Sequence, residues 1–208
     1  MNQTSFIPLS VHILSVCLCL GCSALYHWFW IKDRKTAARL ARLDYSGISI
    51  VIFGTTVPIA SYGMSCNAVH VPRRIFFIAI GIACICCTIV SISPGFDLPK
   101  YRKWRGIMFM ILGIMTSGLF LVFWIWPEEC LKTNILLWVL GGYLCIQGAV
   151  IYVLRVPERW APGTFDIFGS SHQIFHAAVV FSCMVTVYLN YKAYVDRQNF
   201  LGCPIWSN

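Results

Sequence analysis

The sequence predicts an all-α fold, a polytopic transmembrane bundle of six spanning helices that forms one integral membrane domain over residues 1–208. Composition is the first reason: 58% of residues are hydrophobic and only 12% charged, and the mean hydropathy is +0.71, which excludes an ordinary soluble domain. Patterning is the second. The apolar residues fall into six runs near 7–31, 44–63, 73–94, 105–126, 134–155 and 172–191, each about long enough to cross a hydrocarbon core of ~30 Å as a helix. Helices are expected because a backbone in lipid must satisfy its own polar groups.

The runs are taken in order. The first is not a secretory signal, since Met1 to Ser10 carries no Lys or Arg, the apolar stretch is too long and no small-residue cleavage site follows. The second opens at Asp44 and contains Pro58, which predicts a kink whose lost hydrogen bond neighbouring helices make good. Cys17 and Cys19 in the first run, and Cys84, Cys86 and Cys87 in the third, are expected to act as small hydrophobes. The fourth follows a basic cluster. In the fifth, Asn134 and Gln147 suit interhelical hydrogen bonding and are too few to mark a transport pathway, and charged residues stop near the run ends. The sixth starts at His172, directly after VPERWAPGTFD, which is read as a rigid turn that fixes the start of that helix. Trp28, Trp104, Trp126 and Tyr191 lie near run ends, as interfacial anchors do.

Orientation follows from the basic residues. Lys32, Arg34, Lys35, Arg39, Arg42, Lys100, Arg102, Lys103, Arg105, Arg155 and Arg159 fall on one side, against Arg73, Arg74, Lys132, Lys192 and Arg197 on the other. The richer side is expected in the cytoplasm, with both termini outside. The net charge of +8 therefore serves topology and contact with anionic headgroups, and no nucleic-acid partner is expected. Cys66, Cys130 and Cys203 fall on the outer side, where one pair could oxidise, and Asn2 heads an N-Q-T glycosylation pattern close to the membrane.

Crossing parity then gathers polar residues at the basic end. His27 ends the first run, Asp44 begins the second, and four crossings later His172 begins the sixth. Positions i and i+4 share a helix face, so His172 and His176 can offer two imidazoles to one ion, and Ser23 and His27 have the same spacing. Ionisable groups inside a bilayer are costly and mark function by default. Three histidine nitrogens match a catalytic zinc site, which commonly keeps a fourth position for water. Cys22 is one turn deeper than His27 and Cys183 about two turns beyond His176, so an open site is expected over one closed by thiolate. Gln173 follows His172, so this is not H-E-x-x-H, and Asp44 is the one acidic candidate for a general base. Singly, each residue has an ordinary reading: Asp44 as a helix N-cap, Ser23 as interhelical packing, His27 as an interfacial residue. Their conjunction on one leaflet carries the metal reading.

The strings SALYHWF, LDYSGISI and VPERWAPGTFDIFGSSHQIFH resemble the progestin and adipoQ receptor (PAQR) family, its adiponectin-receptor branch especially, and the resemblance runs in order along essentially the whole chain. It implies a seven-helix membrane protein whose helices two to seven match the six runs, the family's first helix having no counterpart before Met1. It further implies zinc near the cytoplasmic leaflet, held at positions matching His27, His172 and His176, with Asp44 beside the bound water and Ser23 matching the family serine. The implied activity is zinc-assisted hydrolysis of a lipid amide such as ceramide, with Asp44 as base and Ser23 orienting water or oxyanion, under control of an extracellular or membrane ligand. A non-enzymatic receptor or Golgi tether with a structural zinc is the alternative. Oligomeric state is open.

Overall fold

The structure is a computed structural model that describes residues 4–63, 70–125 and 135–199. Those residues form six long helices and one short 3-10 turn: α1 (Ile7–Phe29), α2 (Arg34–Gly63), α3 (His70–Ile92), α4 (Arg102–Ile125, preceded by the turn Pro99–Tyr101), α5 (Ile135–Leu154) and α6 (Ser171–Gln198). The all-helical bundle is as expected, and five of the helices (α1, α2, α3, α5 and α6) are long and apolar enough to cross a membrane by length and composition. The expected features at Asn2, Cys66, Trp126, Cys130, Lys132, Asn134 and Cys203 lie outside the described residues.

Two boundaries differ from the hydropathy reading. α2 begins ten residues before Asp44, because Asp33 is the true cap: its Oδ1 accepts the Thr36 amide at 2.9 Å and its Oδ2 the Thr36 hydroxyl at 2.6 Å. That pair holds the Asp33 carboxyl below the usual range. Asp44 is therefore mid-helix and 8% exposed, so the capping reading of Asp44 fails. α6 likewise runs past Tyr191 to Gln198. Polar first and last turns escape a hydropathy window although the backbone stays helical.

The end of α5 and the start of α6 are built with unusual care. Arg155 adopts φ 54°, its amide bonds Tyr152 O at 3.3 Å, and the Val156 amide reaches back to Ile151 O at 3.2 Å. This is a Schellman stop with arginine at the left-handed position, followed by Pro157. On the far side of the loop Ser170 caps α6 through the Gln173 amide, while the Gln173 side chain bonds Gly169 N at 2.7 Å and Ile167 O at 2.9 Å. Glu158 Oε1 accepts both the amide and the hydroxyl of Ser171, at 2.9 and 2.8 Å. Burial works against the ionised form of Glu158, but these bonds and its own backbone amide hold its carboxyl below the usual range. The loop is thus the rigid turn expected.

Packing divides the bundle along its length. At the end away from the basic loops, Leu9, Ile59, Tyr62, Leu119, Trp138 and Leu189 form a buried core, locked where the Tyr62 hydroxyl accepts Leu9 N at 3.1 Å and donates to Ser5 O at 2.9 Å. Toward the basic end the helices part around a cavity. Glycines set close approaches between helices. A Cβ on Gly54 would meet Ser15 Oγ at 2.0 Å, and one on Gly148 would meet Ala178 Cβ at 2.7 Å, so α1 packs on α2 and α5 on α6 at distances only glycine permits.

Candidate metal centre

α1 delivers His27 in its last turn, and the first two turns of α6 deliver His172 and His176. Their Nε2 atoms converge: His27 to His176 is 3.2 Å, His27 to His172 3.3 Å and His172 to His176 3.1 Å. Hydrogen bonding cannot satisfy this triangle. Each Nε2 is either an N–H donor or a lone-pair acceptor, so among three that face one another at least two are alike and repel. A cation at the centre satisfies all three. The edges lie at or just below the spacing such an ion needs: a tetrahedral ion with metal to nitrogen bonds of about 2.0–2.1 Å separates its ligands by about 3.3–3.4 Å. Among the described residues no other His, Cys, Asp or Glu joins the set.

Ser23 and Asp44 are close by but not ligands. Asp44 falls outside the ligand cluster, yet it lines the same cavity as Ser23, His172 and His176. The Ser23 hydroxyl, also buried, has no hydrogen-bond partner of ordinary geometry. All five residues singled out in the sequence are thus brought together.

The cavity, about 200 Å³, is lined by five helices and is chiefly apolar, with Ile48, Phe109, Ile146 and Val179 in its walls. It runs from His172 to Thr186 along α6, which is about 21 Å at 1.5 Å per residue. Trp138 and Ile59 of the packed core form its floor.

Several site residues escape the sequence reading. Tyr152 packs its ring 5.3 Å from His172 and carries Arg102, whose guanidinium lies 4.1 Å over the ring and donates to Tyr152 O at 2.8 Å. Arg105, 5% exposed, lies 4.6 Å over Tyr45 and donates to Leu98 O at 3.0 Å, and both Arg105 and Tyr45 line the cavity. These arginines serve topology in the sequence reading; their inward turn depends on aromatic partners on other helices. Further along α1, His12 is fully buried between Asn190 and Thr55, at 3.0 and 3.1 Å. Because Thr55 already donates to Val51 O, His12 Nε2 donates to Thr55 and Nδ1 accepts from Asn190. An ionisable residue inside an apolar run is a signal the sequence does carry.

A helical bundle in lipid that gathers three histidines at the head of an apolar cavity defines a multi-pass membrane protein with a metal-capable centre. Residues 2–187 match the haemolysin-III related family, and the chain belongs to that family, in which the PAQR resemblance is confirmed. Among relatives, the adiponectin receptor protein of Drosophila melanogaster is 34% identical over 171 residues, 81% of this chain and 38% of the fly protein. The heptahelical transmembrane protein ADIPOR2 of Oryza sativa subsp. japonica is 32% identical over 194 residues, 89% of this chain and 83% of the rice protein. Heptahelical transmembrane protein 4 of Arabidopsis thaliana is 34% identical over 195 residues, 89% of this chain and 48% of its own length. The chain thus spans less than half of two of these relatives.

Proposed function

We propose that this chain is an adiponectin receptor-like membrane protein that holds zinc on His27, His172 and His176 at the cytoplasmic leaflet and hydrolyses a lipid amide such as ceramide. The observation that carries the reading is the Nε2 triangle at the head of the apolar cavity. A zinc ion bound there supplies Lewis acidity that polarises a carbonyl and acidifies water. The chain supplies the rest. The cavity walls take the acyl chain and leave the amide at the polar mouth. Asp44, poised beside the ligands without joining them, accepts a proton from the attacking water and returns it to the leaving amine nitrogen. The Ser23 hydroxyl orients that water or the developing oxyanion. The Arg105 guanidinium keeps Tyr45 against the cavity.

The fly relative is named a receptor, and this favours a second reading: turnover controlled by a ligand from outside or within the membrane, or a receptor or tether whose zinc is only structural. Two measurements on the purified protein separate them. Metal content is expected near one zinc per chain and is lost in the His172→Ala, His176→Ala variant; a metal-free wild-type protein overturns both readings. Ceramide cleavage is expected in the wild type and lost in Asp44→Ala with zinc retained. Zinc without any cleavage in the wild type leaves the structural reading.

A further inference from the structure

A second concavity lies outside the bundle, on the lipid-facing side of α3 and α4, away from the metal centre. It is a groove of about 310 Å³ lined by Ala83 and Cys87 of α3 and by Trp104, Ile107, Ile111 and Met115 of α4, among others. Its walls are apolar throughout. Trp104, 63% exposed, stands at the basic end, and Ile111, 53% exposed, lies further along. From Trp104 to Met115 the groove follows α4 for about 16 Å, close to half of a ~30 Å hydrocarbon core. It therefore begins at one interface and ends near the midplane, the depth of one leaflet.

What stands above it is charged. Lys100 lies four positions before Trp104 and Lys103 directly before it, so both stand at the basic end of the groove, and both are exposed. Side chains on a helix lean toward its N-terminus, which carries the Lys103 ammonium up from the apolar wall to the headgroup level, and Lys100 lies in the turn just before α4. The neighbouring acid, Asp97, is occupied by Arg42 at 3.2 Å, and Arg102 is turned inward onto Tyr152. The Lys100 ammonium lies 4.9 Å from the centre of the Tyr101 ring and stays exposed, as Lys103 does, beside a tryptophan of the kind that prefers the interface.

We propose that this groove is a binding site for an anionic phospholipid of the basic-side leaflet. One acyl chain lies along Ile107, Ile111 and Met115, and Lys100 and Lys103 pair with the phosphate and the headgroup carboxylate. The site is separate from the cavity and does not depend on the proposed hydrolysis.

The test is native mass spectrometry of the full chain released from bilayer nanodiscs of phosphatidylcholine and phosphatidylserine in equal amounts. Wild type retains one phosphatidylserine in preference to phosphatidylcholine by about thirtyfold, the factor two lysines at a leaflet surface supply. Lys100→Gln with Lys103→Gln reduces that preference to about unity. Ile111→Trp, which fills the groove and keeps both charges, loses the retained lipid, and size-exclusion profiles and thermal midpoints confirm that both variants fold. Three outcomes overturn the proposal: equal retention of the two lipids by wild type, retention unchanged in Ile111→Trp, which reduces the site to surface attraction alone, or a dimer that Ile111→Trp dissociates, which makes the groove an interface between copies.

Discussion

Replacing His27 by alanine tests the metal centre most sharply, because His27 is the corner of the triangle that a different helix supplies. In a tetrahedral site the ligand separation is about 1.63 times the bond length, so edges of 3.1–3.3 Å correspond to metal to nitrogen bonds of about 1.9–2.0 Å, at the short edge of the zinc to histidine range of about 2.0–2.1 Å. X-ray absorption at the zinc edge should therefore report three nitrogen scatterers near ~2.0 Å with one oxygen neighbour in wild type, and two histidine nitrogens in His27→Ala. The energetic counterpart follows from mass action. Zinc at about a hundredfold excess over its Kd stabilises the fold by about 2.7 kcal/mol. At about 2–4 °C per kcal/mol for a chain of this size, a chelator should lower the thermal midpoint of wild type by about 5–11 °C and that of His27→Ala far less. A sulfur shell near ~2.3 Å, or a three-nitrogen spectrum unchanged in His27→Ala, would refute the assignment.

Four further outcomes are expected. Asp44→Ala should lower ceramide cleavage by about 10²–10⁴-fold, the usual contribution of a general base, with zinc content unchanged by metal analysis. Gly54→Leu should destabilise the bundle by about 1–3 kcal/mol through overpacking against α1, and Ser15→Gly should recover part of the loss in thermal unfolding. A double-mutant cycle between His12→Ala and Asn190→Ala should give a coupling of about 0.6 kcal/mol, up to ~1.7, as interhelical hydrogen bonds in membranes do; zero coupling would discount the pair. The clasp on Ser171 should be pH-dependent. The Glu158 carboxyl is depressed in the folded state, so its contribution is present above the ordinary carboxylate value and lost as pH falls through the folded one. Hydrogen exchange at residues 157–171 should rise under acid, and Glu158→Gln should show that faster exchange already at neutral pH.

The sequence alone determined a great deal, for reasons that differ by residue. Six apolar runs, helical because lipid admits little else, placed the helices to within a turn at most ends. Parity then placed His27, Asp44 and His172 together, since an even number of crossings returns the chain to the same leaflet. The i, i+4 spacing of His172 and His176 fixed their shared face before any contact was known. Where the reading failed, the information was not local. Asp44 read as a cap because hydropathy starts there, whereas the helix starts at Asp33, whose capping signal lies in polar residues that a membrane window ignores. Arg102 and Arg105 read as topology signals because charge count is blind to direction; Tyr152 and Tyr45, on other helices, turn them inward. The 3.1–3.3 Å triangle, the depth of the cavity and the groove beside it depend on how closely helices approach, and at Gly54 and Gly148 a single absent Cβ sets that approach. Periodicity and crossing number belong to the chain; distances between helices belong to the packing, and only the tertiary structure could decide them.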